Sequence, residues 1–195
     1  MESTTAKSSQ HFKKKPKTRS ITYRLPEKMV NELETEAMQK NISQNVLVKQ
    51  ILEKYLQWDK FANKIGFIPV PNGILRALGD ELDGKSIDAI IKVVHPIIKN
   101  TVMYMKGGYD LMRCIETLED YMRAAGMKSD HRIEGGLHHF IIQHDLGIKW
   151  SVFTEQLLSE IFRGFMPNKN IKFQTTESTV IATIALGSDF SEHNY

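Results

Sequence analysis

The sequence predicts an α+β protein in two folded parts: a strand and two helices near the N-terminus, then a separate helix-rich α+β domain with a small antiparallel sheet. Three observations predict it. In RSITYRLPEKM, Arg19 to Met29, the side chains alternate before a proline opens a helical pattern. The run WDKFANKIGFIPVPNG holds Pro69, Pro71 and Gly73, which break helical continuation and place a boundary near residues 62–70. Beyond it, about 125 residues show helical spacing first and strand-like alternation later, enough for a core of their own.

Within the first part, Ile21, Tyr23 and Leu25 point one way and Ser20, Thr22 and Arg24 the other. No second strand pattern follows for about forty residues, so this strand lacks a partner nearby in its own chain, and an unpaired edge invites another molecule. Pro26 suits a first helical turn and Glu27 complements the helix dipole there. Met29, Val30, Leu33 and Ala37 recur at helical spacing, and Asn41, a residue that tolerates left-handed backbone, ends the pattern. Ser43 is the expected N-cap of a second helix whose apolar face is Val48, Ile51, Leu52 and Tyr55.

Charge is divided along the chain. The net charge is +3, yet residues 1–64 hold 13 Lys+Arg against 7 Asp+Glu, while the remaining 131 hold 13 against 16. Much of the excess lies in HFKKKPKTR, where Lys13, Lys14, Lys15, Lys17 and Arg19 precede the strand. A basic arm beside a folded element suits a polyanion, because each neutralised phosphate releases counterions; a solvated, solubilising tail is the alternative. The longest apolar runs fall short of the ~20 residues of a membrane span, and no apolar signal segment is visible. A cytoplasmic, nucleoid-associated location without membrane contact is therefore expected. The single cysteine, Cys114, reads as a buried structural thiol.

Strand, proline-started helix, short turn and Ser-capped helix, from Arg19 to Trp58, together resemble the ribbon-helix-helix family of the Arc, MetJ and CopG-like repressors. The resemblance covers about a fifth of the chain, and Asn41 stands where many members carry glycine. It implies a dimer in which two chains pair their strands antiparallel and lay the ribbon in the DNA major groove. Ser20, Thr22 and Arg24 would then meet base edges, while Ile21, Tyr23 and Leu25 pack on the helices of both subunits. Arg24 has the fork to bind guanine O6 and N7 together. The free N–H groups at Ser43, Gln44 and Asn45, with Lys13, Lys14, Lys15, Lys17 and Arg19, would hold phosphates. The domain reading is a disordered basic arm (1–18), the ribbon-helix-helix unit (19–62), an α+β regulatory or oligomerisation domain (70–187) and a tail (188–195).

In the second domain, ILRALGDEL, SIDAIIKVVHPIIKNTVMYM and DLMRCIETLEDYMRAAG read as helices, with Ser86 capping the middle one and Pro96 kinking it. GLHHFIIQHD reads as a strand, IKWSVFTEQLLSEIF as a helix, and NIKFQTTESTVIATIAL as a hairpin turning near Glu177 and Ser178. Trp150 and Phe153 are expected to anchor their helix to the sheet. No P-loop, dinucleotide fingerprint or CxxC pair is present.

The histidines raise a second chemistry. On a strand His138 and His144 share one face and His139 and Asp145 the other, and imidazole with carboxylate suits nickel, zinc or iron. Nickel-responsive repressors join a ribbon-helix-helix unit to a histidine-bearing sensor, but their sensor resembles a βαββαβ fold, and the residues here look mainly helical. Asp145 capping the next helix is the competing reading. Glu116, Glu119 and Asp120 read as a solvated helix face, and Met103, Met105, Met112, Met122 and Met127 as core filler or an adaptable pocket. The expectation is a dimeric transcription regulator whose second domain senses a small-molecule effector or adds oligomer contacts, with no cofactor. The alternatives are a nickel-type repressor using His138, His139 and His144, and an antitoxin. Nothing in the sequence assembles an enzyme site.

Overall fold

The computed structural model describes residues 18–186, and their contacts divide into two compact units, parted between Leu47 and Val48. The basic arm at Lys13, Lys14, Lys15 and Lys17 and the tail at 188–195 lie outside the described residues. The sequence places the division at 62–70. The difference arises because helix α2 (Gln44–Lys54) runs on through a π-helical turn (Tyr55–Asp59) into the short α3 (Lys60–Ala62). At that turn the Trp58 ring packs edge-on against Phe67 at 5.0 Å and tilted against Tyr121 at 5.5 Å, which ties the segment into the second unit.

In the first unit, residues 18–26 form no strand, because a lone segment has no ladder to join. Helix α1 (Glu27–Gln39) follows Pro26, which stands just ahead of the first turn and whose carbonyl accepts from Met29 and Val30 N–H at 3.0 and 3.2 Å. The helix closes where a left-handed residue was expected. Asn41 has φ 52°, Ile42 N–H donates to Ala37 O at 3.0 Å and Asn41 N–H to Met38 O at 3.1 Å, the paired bonds of a Schellman ending. Ser43 then caps α2, its Oγ accepting from Val46 N–H at 3.3 Å.

The second unit is helix-rich with one small antiparallel sheet. Helices α4 (Asn72–Asp80), α5 (Gly84–Lys106) and α6 (Leu111–Ala124) precede strands β1 (Lys128–Glu134) and β2 (Leu137–Gln143); α7 (Ile148–Phe165), β3 (Ile171–Thr175) and β4 (Thr179–Ala185) follow. The sheet runs β1-β2-β4-β3, every pair antiparallel. The β3–β4 hairpin turns through Thr176, Glu177 and Ser178, as the sequence indicates. One face of the sheet carries Phe140, Ile142, Val180, Ala182 and Ile184 against Ile115, Met122, Leu158 and Phe162 of α6 and α7. A second cluster lies between helices and joins Ile87, Ile91 and Val102 of α5 to Cys114, Leu157 and Ile161.

Several local expectations are corrected. Asp83, not Ser86, caps α5, accepting from Ser86 N–H at 2.7 Å. The carboxylate can reach that N–H from the N-cap position, whereas Ser86 is already inside the first turn. Helix α5 continues through Pro96 as one element. Gly147, not Asp145, precedes α7 at the cap position, and Asp145 Oδ1 instead accepts from Asn72 Nδ2 at 3.3 Å. Trp150 turns from the sheet to α4, where its Nε1 donates to Leu75 O at 2.7 Å, and Phe153 joins the inter-helix cluster. Asp120 is buried and not part of a solvated face: Lys106 Nζ holds one oxygen at 2.8 Å and Arg123 the other at 3.3 Å. Strand β1, KSDHRIE, has no counterpart among the strands that the sequence pattern indicates. No helix among the described residues is long and apolar enough to cross a membrane.

Candidate nucleic-acid interface

Everything from residue 18 to Met29 is exposed, including Ser20, Thr22 and Arg24. The opposite alternation is exposed too. Ile21, Tyr23 and Leu25 leave 67%, 61% and 44% of their surface open, and among its described residues the first unit buries only Ala37 and Leu47. Met29, Met38 and Val46 are likewise open, as are Ile51 and Leu52 farther along α2 and Tyr55 of the π-helical turn. A segment of about thirty residues with two buried side chains is far below what a folded domain needs to offset its chain entropy.

Charge is divided within this surface: residues 18–25 carry Arg19 and Arg24 and no acidic group, whereas α1 carries Glu27, Glu32, Glu34 and Glu36 with Lys28. Neither Arg19 nor Arg24 takes a carboxylate partner among the described residues, so both guanidinium groups keep their donors available. The acidic groups of α1 are partly engaged with their own helix: Lys28 lies 3.9 Å from Glu32 and Lys40 2.8 Å from Glu36, exposed i,i+4 pairs of small energetic consequence. At the start of α2 the Ser43 cap satisfies Val46 N–H, leaving the N–H groups of Gln44 and Asn45 at an open helix N-terminus. Ser43 and Asn45 are exposed and Gln44 half-buried. The expected base-contacting and phosphate-contacting residues within the described range thus lie on two exposed stretches of one unit.

His138, His139 and His144 of the second unit are not brought together. His138 is buried on the helix-covered face of β2, and its Nδ1 lies 2.9 Å from His131 Nε2. His131 in turn stacks on Phe140 at 4.3 Å. His139 points to the opposite face, where Nδ1 meets Thr183 Oγ1 at 3.0 Å. His144 is committed elsewhere. Leu146 N–H donates to its Nδ1 at 3.2 Å, which fixes the proton on Nε2; that nitrogen then donates to Ser151 Oγ at 3.1 Å, and Ser151 passes its own proton to Glu177 O at 3.2 Å. A serine beside a histidine looks like a nucleophile and its base, but here the imidazole is the donor and has no lone pair left for the serine proton. The chain of bonds pins the end of β2, the β3–β4 turn and α7 to one another, helped by His144 N–H to Ser178 O at 2.9 Å.

Burial holds His131, His138 and His144 below the usual imidazole range; the neighbouring histidine adds to the effect at His131 and His138, and Asp145 opposes it at His144. Among the described residues no group of three or more His, Cys, Asp or Glu side chains is placed to hold a metal ion. Cys114 is fully buried, and burial pushes its thiol up to about 12, far from a reactive thiolate. Between α6, α7 and the sheet lies a cavity of about 30 Å³, near the volume of one water, lined by Ile115, Met122, Phe140, Ile142, Leu158 and Phe162. Met122 reaches it, while Met127 lines an open groove with Arg123, Lys128, Ser129, Asp130, Ile141 and Gln143. No protein-family model matches the chain, and no curated protein matches it either.

Proposed function

We propose that this chain is a sequence-specific DNA-binding transcription regulator that acts as a homodimer, two copies of residues 19–25 pairing antiparallel into a ribbon for the major groove. One observation carries the reading: Ile21, Tyr23 and Leu25 alternate along the sequence ahead of α1 and stand 67%, 61% and 44% exposed in a unit that buries almost nothing among its described residues. A second copy covers these side chains and supplies the missing ladder. Pairing also sorts the alternation into two faces. The apolar residues turn to the helices of both copies, and Ser20, Thr22 and Arg24 are left on the outer face, of a width the major groove admits. The open N-terminus of α2 then offers the amides of Gln44 and Asn45 to a phosphate.

The second unit serves assembly better than sensing in this reading. Its cavity between α6, α7 and the sheet has room for about one water, and His138, His139 and His144 take internal partners on two different faces.

Selection of bound duplexes from a random pool tests the proposal, and it should return a palindromic or repeated site. Against that site, Arg24→Ala should leave self-association unchanged and lower discrimination between cognate and scrambled duplex by about 1–3 kcal/mol for each guanine that the arginine reads. Full discrimination in the variant, measured by fluorescence anisotropy, refutes the ribbon face as the reader.

A further inference from the structure

Strand β1 is an edge of the sheet, laddered to β2 on one side and with no strand on the other among the described residues, and six of its seven residues are exposed. Its sequence, KSDHRIE, is antisymmetric in charge about its centre. Lys128 and Glu134 stand three residues either side of His131, and Asp130 and Arg132 one residue either side. All four charges sit on the same face, the one opposite Phe140, because residues 128, 130, 132 and 134 are two apart. In the lone chain Arg132 Nε reaches back to Asp130 Oδ2 at 2.7 Å.

The backbone phase agrees with the charges. Gly135 and Gly136, at φ 57° and 80°, form a two-residue hairpin turn that closes on the Glu134–Leu137 pair. The residues flanking such a turn exchange hydrogen bonds with each other, so residues 134, 132, 130 and 128 turn their amides to β2, and Ser129 and Ile133 turn theirs to the open edge.

We propose that β1 is a self-association edge: two copies of this chain pair their β1 strands antiparallel about a two-fold axis at His131, joining two four-stranded sheets into one of eight. In that register Ser129 exchanges backbone hydrogen bonds with Ile133 of the second copy, and each charge meets its opposite: Lys128 faces Glu134 and Asp130 faces Arg132, twice over. Shifting the axis by one residue sets Lys128 opposite Arg132 and Asp130 opposite itself, or Asp130 opposite Glu134 and Arg132 opposite itself, so both neighbouring registers oppose like charges. Charges on an edge strand can also serve to repel pairing. A repelling edge has no need of antisymmetry; an edge that pairs with its own copy while carrying charges on one face needs it to avoid opposing like charges. The edge lies in the second unit and does not rest on the ribbon.

Disulfide trapping in the full chain reads the register directly. In the proposed pair, residues 128 and 134 of opposite copies lie about 4.5 Å apart at Cα, within disulfide range, whereas in one chain they are about 20 Å apart. Under mild oxidation Lys128→Cys/Glu134→Cys should form a covalent dimer, and each single variant should not; buried Cys114 does not compete. Adding Arg132→Asp to the double variant should slow trapping by roughly tenfold, and adding Asp130→Arg with Arg132→Asp should restore it, which a folding defect would not do. No trapping in the double variant, or equal trapping in the singles, overturns the proposal. Trapping alongside a failed duplex selection would sink the ribbon reading alone.

Discussion

Ile21→Ser is the substitution whose cost the structure lets one work out most fully. Ile21 leaves 67% of its surface open in the single chain. Complete burial of such a side chain stabilises by about 1.5–3 kcal/mol, so covering the open two thirds contributes about 1–2 kcal/mol per chain. A two-fold ribbon covers it twice, so the variant should lose about 2–4 kcal/mol of association free energy, a rise in dimer Kd of roughly 30- to 1,000-fold. The matched control is Thr22→Ala. Its side chain belongs to the opposite alternation, so self-association should hold while duplex binding weakens. Sedimentation equilibrium over a range of protein concentrations measures self-association in both, in an Arg132→Asp background that weakens the β1 edge equally in the two. Equal loss of self-association in the two variants would refute the assignment of faces.

Two further outcomes concern the second unit. His131, His138 and His144 are held below the ordinary imidazole value of 6.5, so the folded chain binds fewer protons than the unfolded one once the pH drops below that value. Their contribution to stability is present above pH 6.5 and is lost as pH falls through the folded values, with a slope of about 1.4 kcal/mol per pH unit for each proton taken up on unfolding; urea denaturation between pH 7 and 5 should show the decline, and a flat profile contradicts it. Gly79→Ala should destabilise despite alanine's better helix propensity, because the new Cβ would sit 2.3 Å from Trp150 Nε1, and moving the indole sacrifices its hydrogen bond to Leu75 O. The clash and the broken hydrogen bond outweigh the gain of about 1 kcal/mol, giving a net loss of about 1–2 kcal/mol in urea melts; a stabilised variant would contradict the packing.

The features legible in the sequence are those set by neighbours in the chain. Asn41 and Ser43 announce their turn because left-handed backbone and N-capping are local requirements, and both appear as read. Strand β2 and the β3–β4 hairpin are visible because one face of each meets a helix layer and must alternate. Strand β1 is hidden because an exposed edge strand has no apolar alternation to display: Ile133 is its only large aliphatic residue, and the available signal is Gly135-Gly136, a pair suited to a tight hairpin. The histidines show where sequence reading stops. Spacing puts His138 and His144 on one face, yet their partners His131, Leu146 and Ser151 are fixed by tertiary packing. The same limit applies to Asp120 and Trp150, whose partners Lys106 and Leu75 lie on other helices.

The central claim is that two chains complete one ribbon, and isotope-filtered NMR on a mixture of labelled and unlabelled chains tests it most directly. Contacts between copies among residues 20–24, in an antiparallel pattern and with slowed amide exchange, are the predicted result. Freely exchanging amides and no contact between copies at concentrations where DNA is bound would contradict it.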